Sequence, residues 1–582
     1  MSKYFIGLHY GHNATVAVAR NGEVVFCQSE ERLNRIKNSA GFPSLTLDYI
    51  YSTVCSPDEV TSVTLYQKSI FGYLFLKQHE FKSFQSGQYF APEIRQRGWF
   101  SRSELRWQLS QWRARHVREN DARLKAEAIR FFAKSARVPE RKIQFIQHHA
   151  AHAYSTIAHI QSWANALVFT LDGVGDYSSA TVSKLENGVL QVLQETNHRN
   201  SLGYFYAAIT GLLGMKVGEH EFKVMGLAPY SSQRYYKPIL DRLKQLIWLD
   251  RNGQFVARLP PTALMEALDE IVLHQRFDNV AGAIQALVEE LIIEWIRYWT
   301  TKTNILNIAV AGGVFMNVKA CQRVFQEIPI DKYFIMPSAA DESTAIGAAY
   351  WAGIQSTPQV RPVPFRDLYM GREFSDDEIS LALSELDASG RYQISKPDRL
   401  NRSIAELLSN NQVVARFAGR MEFGARALGN RSILANPNDF STVELINASI
   451  KNRDFWMPFT PSILAEDMPR YIVDHERIFA PYMSITFETT DLARQHLKAA
   501  IHPRDKTARP QCVLSDWNPG YYDVISEFKK LTGIGAVLNT SFNLHGEPNV
   551  CSPHDAIHTM DNSGLKYLAI GSFLLEKKSK GS

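Results

Sequence analysis

Two stretches of the chain carry the same alternation of apolar and polar positions. Residues 4–29 read YFIGLHYG, ATVAVA and EVVFCQS, three runs of strand length with Asn21-Gly22 between the second and third. Residues 166–195 read ALVFTL, a turn-rich loop DGVGDYSS, ATVSKLE, Asn187-Gly188 and VLQVLQE. Asn-Gly between apolar runs is the strongest short hairpin signal, because both central positions of the tight turn need positive φ. The repeat predicts two similar α/β halves facing a cleft, with the loops Gly7 to Asn13 and Asp172 to Ser178 opening into it. Residues 280–299 are apolar nearly all round and predict a buried helix. LNIAVAGGVFMNV then predicts a buried strand ending in Gly312-Gly313, and the stretch from Phe334 places Asp341 at the start of a small-residue helix, where an aspartate commonly serves as a cap.

A duplicated unit of this kind resembles the acetate and sugar kinase, heat-shock ATPase and actin superfamily, whose halves grip a nucleotide between such loops. Near residues 70–142 the repeat is interrupted by eleven arginines, from Arg95 to Arg141, interleaved with Trp99, Trp107 and Trp112. Two readings stand: a surface that tracks a phosphate backbone, or an amphipathic helical insertion with solvated arginines. TPQVRPVPF, residues 357–365, has the proline density of a linker. It predicts a boundary between a domain of residues 1–360 and a second α/β domain of residues 361–582.

Composition narrows the class. A chain of 582 residues is too long for one core. Its five cysteines are scattered without a CxxC pair, which predicts reduced thiols in a cytoplasm and no disulfide framework. No secretory h-region or transmembrane run is present in the sequence, and a net charge of +5 is too small to mark a nucleic-acid binder.

Candidate chemistry centres on HHAAH. His148 and His152, four apart without an intervening proline, would stack on one face of a helix, as a shared metal ion requires, while His149 would point elsewhere. With 17 histidines in the chain about half of one such pair arises by chance, so the pair gains weight only from the strand and acidic loop next to it. ALVFTL delivers Asp172 beside it, which makes three ligands of a hard or borderline metal site. HExxH is absent, which sets aside a thermolysin-type centre. Elsewhere Lys223 precedes Met225-Gly226, a cation beside a close backbone approach that suits a phosphate. Gly312 and Gly313 would let a nucleotide lie on the backbone, with Asn317 positioned for a hydroxyl or base. In the second domain Arg420, Arg426 and Arg431 lie among glycines after a strand, followed by Lys451 and Arg453, by Arg509, and by Asn539, Ser541 and Asn543 at the end of another strand. Arginines in such turns suit bidentate phosphate or carboxylate binding.

Taken in order, HHAAH, DGVGD, GEHEFKVMGLAPY, AGGVFMN, GARALGNRSIL and LNTSFNLHGEP resemble the O-carbamoyltransferases of the NodU, CmcH and TobZ type over nearly the whole chain. The resemblance implies an N-terminal domain like the tRNA threonylcarbamoyladenosine transferase and a C-terminal domain like YrdC, the threonylcarbamoyl-AMP synthase. It implies that His148, His152, Asp172 and Asp341 bind Fe2+ or another divalent metal, and that His12 stands beside the transfer site as a general-base candidate or as a loop-fixing group. Arg426, Lys451, Arg509 and Ser541 match residues that hold carbamoyl phosphate and ATP with Mg2+. One position departs from the family pattern: Met457-Pro-Phe-Thr-Pro stands where the family usually has Arg-Pro-Phe-Ala-Pro. The implied activity is formation of carbamoyl-AMP from carbamoyl phosphate and ATP, then transfer of the carbamoyl group to a hydroxyl of a natural product or sugar. Carbamoyl transfer to RNA and a kinase-like phosphotransfer are the alternatives.

Overall fold

Both Asn-Gly pairs form hairpin turns, with φ of 52° and 85° at Asn21 and Gly22 and of 52° and 79° at Asn187 and Gly188. In the computed structural model the described residues are 3–69, 71–78, 83–85, 122–387, 390–451 and 454–578. They fall into two compact units, Met1–Phe365 and Arg366–Ser582.

The first unit holds two five-stranded sheets. One is formed by β1 (Tyr4–His9), β2 (Thr15–Arg20), β3 (Glu23–Ser29), β4 (Val60–Leu65) and β5 (Ile143–Phe145), in the order β3-β2-β1-β4-β5. The other is formed by β6 (Asn165–Gly175), β7 (Ser178–Glu186), β8 (Val189–Asn197), β9 (Asn307–Ala311) and β10 (Lys332–Ile335), in the order β8-β7-β6-β9-β10. In each, the first three strands are antiparallel neighbours and the last two join in parallel. The sequence repeat is thus a structural one. One detail differs from expectation. Asp172 to Gly175 continue β6 through an irregular register and close on Ser178 through a turn at Asp176 and Tyr177, with φ of 48° and 70°. Gly175 lets that strand run on where a loop was expected, since a Cβ there would collide with the His148 ring.

Five helices matter for the site: α1 (His148–Ser155), α2 (Glu221–Leu227), α3 (Phe277–Thr303), α4 (Val318–Glu327) and α5 (Ser343–Ser356). The stretch expected to be a buried helix lies in α3, whose Trp295 is fully buried. The small residues of α5 let it wedge between β1 and α1. A Cβ on Gly7 would lie 1.8 Å from the Ala345 carbonyl oxygen, and one on Gly347 would lie 1.7 Å from that of Ala151. This close approach fixes where Asp341, two residues before α5, meets the histidines of α1. Of the arginine-rich insertion, only residues 122–142 fall among these described residues with the short pieces 71–78 and 83–85. Ala122–Ser135 forms a helix that buries Ala128, Phe132 and Ala133, as an amphipathic helix would. Its other residues, with Trp99, Trp107 and Trp112, lie outside the described residues.

The second unit is built on one eight-stranded sheet. Its strands are β11 (Tyr392–Ser395), β12 (Val414–Phe417), β13 (Arg431–Ala435), β14 (Thr460–Leu464), β15 (Gln511–Val513), β16 (Ala536–Ser541), β17 (Tyr567–Ile570) and β18 (Phe573–Lys577), in the order β11-β18-β17-β12-β13-β16-β14-β15. Ala415, Phe417, Ile433, Leu538 and Leu568 of its strands pack with Ile446, Ala556 and Ile557 of its helices into a core cluster. Among the described residues no helix is long and apolar enough to cross a membrane.

Candidate functional site

The first cluster is assembled around α1. The Gln147 side chain caps this helix by accepting from the Ala150 N–H at 2.7 Å. Asp176 adds a second clamp, accepting from the backbone N–H groups of Lys68, Ser69 and His148 at 2.9, 2.8 and 2.9 Å. The second aspartate of DGVGD therefore fixes the frame, while the first enters the cluster. His148 and His152 are buried on one face. His149 points elsewhere, its Nδ1 bonded to Thr170 Oγ1 at 2.8 Å.

His152 Nε2 lies 3.0 Å from Asp172 Oδ2 and 3.6 Å from Asp341 Oδ1. His148 Nε2 lies 3.6 Å from each of the same two oxygens. One ligand atom from each of these four residues falls within 4.8 Å of all the others. Neither ring nitrogen of His148 has a hydrogen-bond partner among the described residues. Gly175 makes room for that ring, since a Cβ there would lie 2.0 Å from it, and Gly313 makes room for the Asp172 carboxylate. Separations of about 3.0–3.6 Å are those of ligands bound about 2.1 Å from one ion. Two imidazoles and two carboxylates are also a donor set for a borderline divalent metal.

Charge supports the same fit. Burial opposes a proton on His152, yet its contacts with Asp172 and Asp341 raise it to about 9. Burial likewise favours a neutral Asp172, yet the two histidines hold its carboxyl well below the usual carboxylate range. The cluster is a place that stabilises positive charge.

One neighbour went unnoticed in the sequence. His9, at the end of β1, is fully buried with Nε2 3.6 Å from Asp341 Oδ2, and burial lowers it to about 3. Its only signal was a position within the Gly7 to Asn13 loop. His12 stands on the same loop, half-buried, with Nε2 3.1 Å from the Gly218 carbonyl oxygen. A carbonyl only accepts, so Nε2 donates and the neutral ring keeps its Nδ1 lone pair. Lys223 is half-buried on α2. Gly312 has φ of 102°, and a Cβ on it would lie 2.4 Å from the Leu171 carbonyl oxygen. Asn317 differs from the expectation of a ligand-facing amide. Its Oδ1 caps α4 through the Ala320 N–H, and the whole amide pairs with that of Gln285 at 2.9 and 3.0 Å.

In the second unit the structure brings Lys451, Ser541 and Asn543 together. Lys451, at the end of a π-helical turn, is 3% exposed, so its ammonium needs acceptors. It donates to Ser541 Oγ at 3.2 Å and to the Asn543 Oδ1 and carbonyl oxygen at 2.7 and 2.9 Å. Strand register carries Arg509 to the same end of the sheet: it precedes Gln511, which pairs with Ser462, while Thr460 pairs with Asn539 and Ser432 with Ser541. Asn539 is buried, and its Nδ2 donates to the Ala427 carbonyl oxygen at 3.1 Å. Arg426 is half-buried in the loop between β12 and β13.

That loop is held by residues that sequence reasoning either missed or placed elsewhere. Glu422 Oε1 collects the N–H groups of Leu428, Asn430 and Arg431 at 2.9, 2.8 and 3.0 Å. Arg416 donates to the Gly429 carbonyl oxygen at 2.7 Å. Arg431, expected to face a ligand, is fully buried over the Phe417 ring and spends its Nη groups on the carbonyls of Ala418, Gly419 and Asn430. Arg420 likewise donates to the carbonyls of Met370 and Gly371. Both arginines shape the loop that presents Arg426. Arg453 lies outside the described residues.

Two family models match the chain. Residues 4–350 match the family model described as carbamoyltransferase N-terminus, and residues 405–577 match that described as carbamoyltransferase C-terminus. An uncharacterised protein of Synechocystis sp. is 30% identical over 98% of this chain and 96% of its own length. Nodulation protein NolO of Bradyrhizobium diazoefficiens is 34% identical over 74% of this chain and 79% of its own. The 3'-hydroxymethylcephem-O-carbamoyltransferase of Amycolatopsis lactamdurans is 29% identical over 45% of this chain and 47% of its own.

Proposed function

The chain belongs to the carbamoyltransferase family and is a transferase enzyme, and from that premise we propose that it makes carbamoyl-AMP from carbamoyl phosphate and ATP and transfers the carbamoyl group to a hydroxyl of a small metabolite. The observation that carries this reading is the convergence of His148, His152, Asp172 and Asp341 on one point. We assign the first unit to transfer and the second, as a YrdC-like domain, to adenylation. The five cysteines are buried and form no disulfide among the described residues, which supports a cytoplasmic enzyme.

In the second unit Lys451, Ser541 and Asn543 form a polar floor for phosphate oxygens, with Arg426 and Arg509 supplying further charge. Balance requires that water release the phosphate of carbamoyl phosphate. The carbamate oxygen then displaces pyrophosphate from the α-phosphorus of ATP, while Mg2+ and these cations neutralise the phosphates. In the first unit Gly312 and Gly313 would admit the nucleotide and Lys223 its phosphate; Asn317 would do so only by giving up Gln285. His12 takes the acceptor's hydroxyl proton on Nδ1, the acceptor oxygen bonds to the carbamoyl carbon, and AMP leaves. A divalent ion such as Fe2+, held by the four residues, would polarise the carbamoyl carbonyl and offset charge on the departing phosphate.

Incubation with ATP, carbamoyl phosphate and a panel of hydroxylated metabolites should yield a product heavier by one carbamoyl group, with AMP and pyrophosphate released. ADP in place of AMP would overturn the scheme. Elemental analysis should find one metal ion per chain that is lost in both His148→Ala and His152→Ala; full occupancy in both would remove the metal assignment.

A further inference from the structure

We propose that Glu422 is a positioning residue for the adenylation step, acting through Arg426; this rests on the assignment of adenylation to the second unit. Glu422 is 4% exposed, a setting in which a carboxylate needs strong donors. It finds them further along its own loop. Its Oε1 alone accepts from the N–H groups of Leu428, Asn430 and Arg431 at 2.9, 2.8 and 3.0 Å, and Ser432 Oγ accepts from the one between, that of Gly429, at 2.9 Å. A run of successive N–H groups turned on one point suits an anion. Here the anion is the chain's own carboxylate, so this nest serves the loop and leaves phosphate to Arg426. Gly429 makes the turn possible, with φ of 113° and a Cβ that would lie 2.3 Å from the Tyr521 ring.

The carboxylate thus closes a ring of chain from residue 422 to residue 431, and Arg426 stands within it. Glu422 itself is pinned on both sides, since the N–H groups of Met421 and Phe423 donate to the carbonyl oxygens of Arg372 and Leu368 at 3.0 and 2.7 Å. The two carbonyls after Arg426 tie the ring to the sheet. That of Ala427 accepts from Asn539 Nδ2 at 3.1 Å, and that of Leu428 from Gln511 Nε2 at 2.9 Å. Asn539 lies two residues before Ser541, which meets Lys451 at 3.2 Å, and Gln511 lies two after Arg509. Glu422 and these two amides together fix the backbone at Arg426 relative to Ser541 and Arg509.

Without the carboxylate, three buried N–H groups lose their acceptor and the ring must open to find others. Arg426 would then shift while Lys451 and Ser541 keep their places. A displacement of about 1 Å in a positioning element is enough to cost about a hundredfold in rate. Glu422 Oε2, by contrast, is buried and makes no hydrogen bond among the described residues. Glutamine, which keeps Oε1 and changes only Oε2, therefore preserves all three bonds.

The test measures pyrophosphate release from ATP and carbamoyl phosphate by the full-length enzyme, with Tm recorded for each variant. We expect Glu422→Ala to lower kcat/KM for carbamoyl phosphate about a hundredfold and Glu422→Gln to stay within about tenfold of the wild type. Arg426→Ala should lose about as much as Glu422→Ala. The double variant should lose no more than about threefold beyond either, because both changes disable one group. If Glu422→Ala does not fold, Glu422→Asp, one methylene too short to reach all three N–H groups, should lose activity in the wild type and cost nothing further beside Arg426→Ala. Folded Glu422→Ala at the wild-type rate, or losses that multiply in the double variant, would overturn the role of Glu422. A wild-type enzyme that releases no pyrophosphate would instead overturn the adenylation reading, so the two failures are distinct.

Discussion

Residues chosen by type alone divide, in the structure, into those that face a possible ligand and those that hold the frame. The proposed function places Lys451 in the first kind: its ammonium, held by Ser541 and Asn543, is the donor that a phosphate would share. Lys451→Ala should abolish pyrophosphate release from ATP in the presence of carbamoyl phosphate; release at the wild-type rate would take adenylation away from this cluster. Met457→Arg, which restores the family residue, should leave activity intact or raise it. Arg431 belongs to the second kind, and nothing in its glycine-rich sequence distinguishes a buried clamp from a ligand arginine. His159 is a frame residue with a pH signature. It stacks on Phe334 and meets Phe365 edge-on, and its burial lowers it to about 4. The unfolded chain binds that proton near pH 6.5, so the stability from the neutral ring is complete above pH 6.5 and is lost as pH falls toward 4. The loss is about 3 kcal/mol at most. Thermal melts between pH 7 and pH 4 should show His159→Phe losing less of its Tm than the wild type.

At the scale of elements, the site depends on how closely α5 approaches β1 and α1. Small residues along 343–353 were legible as a small-residue helix, and the hairpins were legible from Asn-Gly. The meeting of Gly347 with the Ala151 carbonyl oxygen was not, since it joins residues nearly 200 positions apart. A methyl group there collides with backbone, which cannot rotate away as a side chain can. Gly347→Ala should therefore destabilise the first unit by about 2–3 kcal/mol and displace Asp341 from the α1 histidines. The measurable outcome is a lower Tm with weaker metal binding while pyrophosphate formation continues. Unchanged metal affinity would separate α5 packing from the centre. For the same reason DGVG became an extension of β6: Gly175, which looks like a loop residue in sequence, here serves close packing against His148.

For the whole molecule, the proposed function implies a division of labour between two units that each carry a cluster of their own. His152→Ala removes a residue of the first cluster and leaves Lys451, Arg426 and Arg509 untouched. It should keep forming pyrophosphate from ATP and carbamoyl phosphate while the acceptor product falls by at least about a hundredfold. Loss of both activities in a folded variant would put the two reactions in one site. Much of this was written in the sequence: the duplicated α/β plan comes from period-two apolar runs and paired Asn-Gly turns, and His148, His152 and Asp172 announce themselves by spacing and by adjacency to a strand. Such signals are local, and local backbone preferences read them directly. What only the tertiary structure decided is non-local. It set His9 beside Asp341, spent the Nη groups of Arg431 on carbonyls and the amide of Asn317 on Gln285, and joined Lys451 to Ser541. Burial favours a partner for each polar group, and that partner is fixed by packing between segments far apart in the chain.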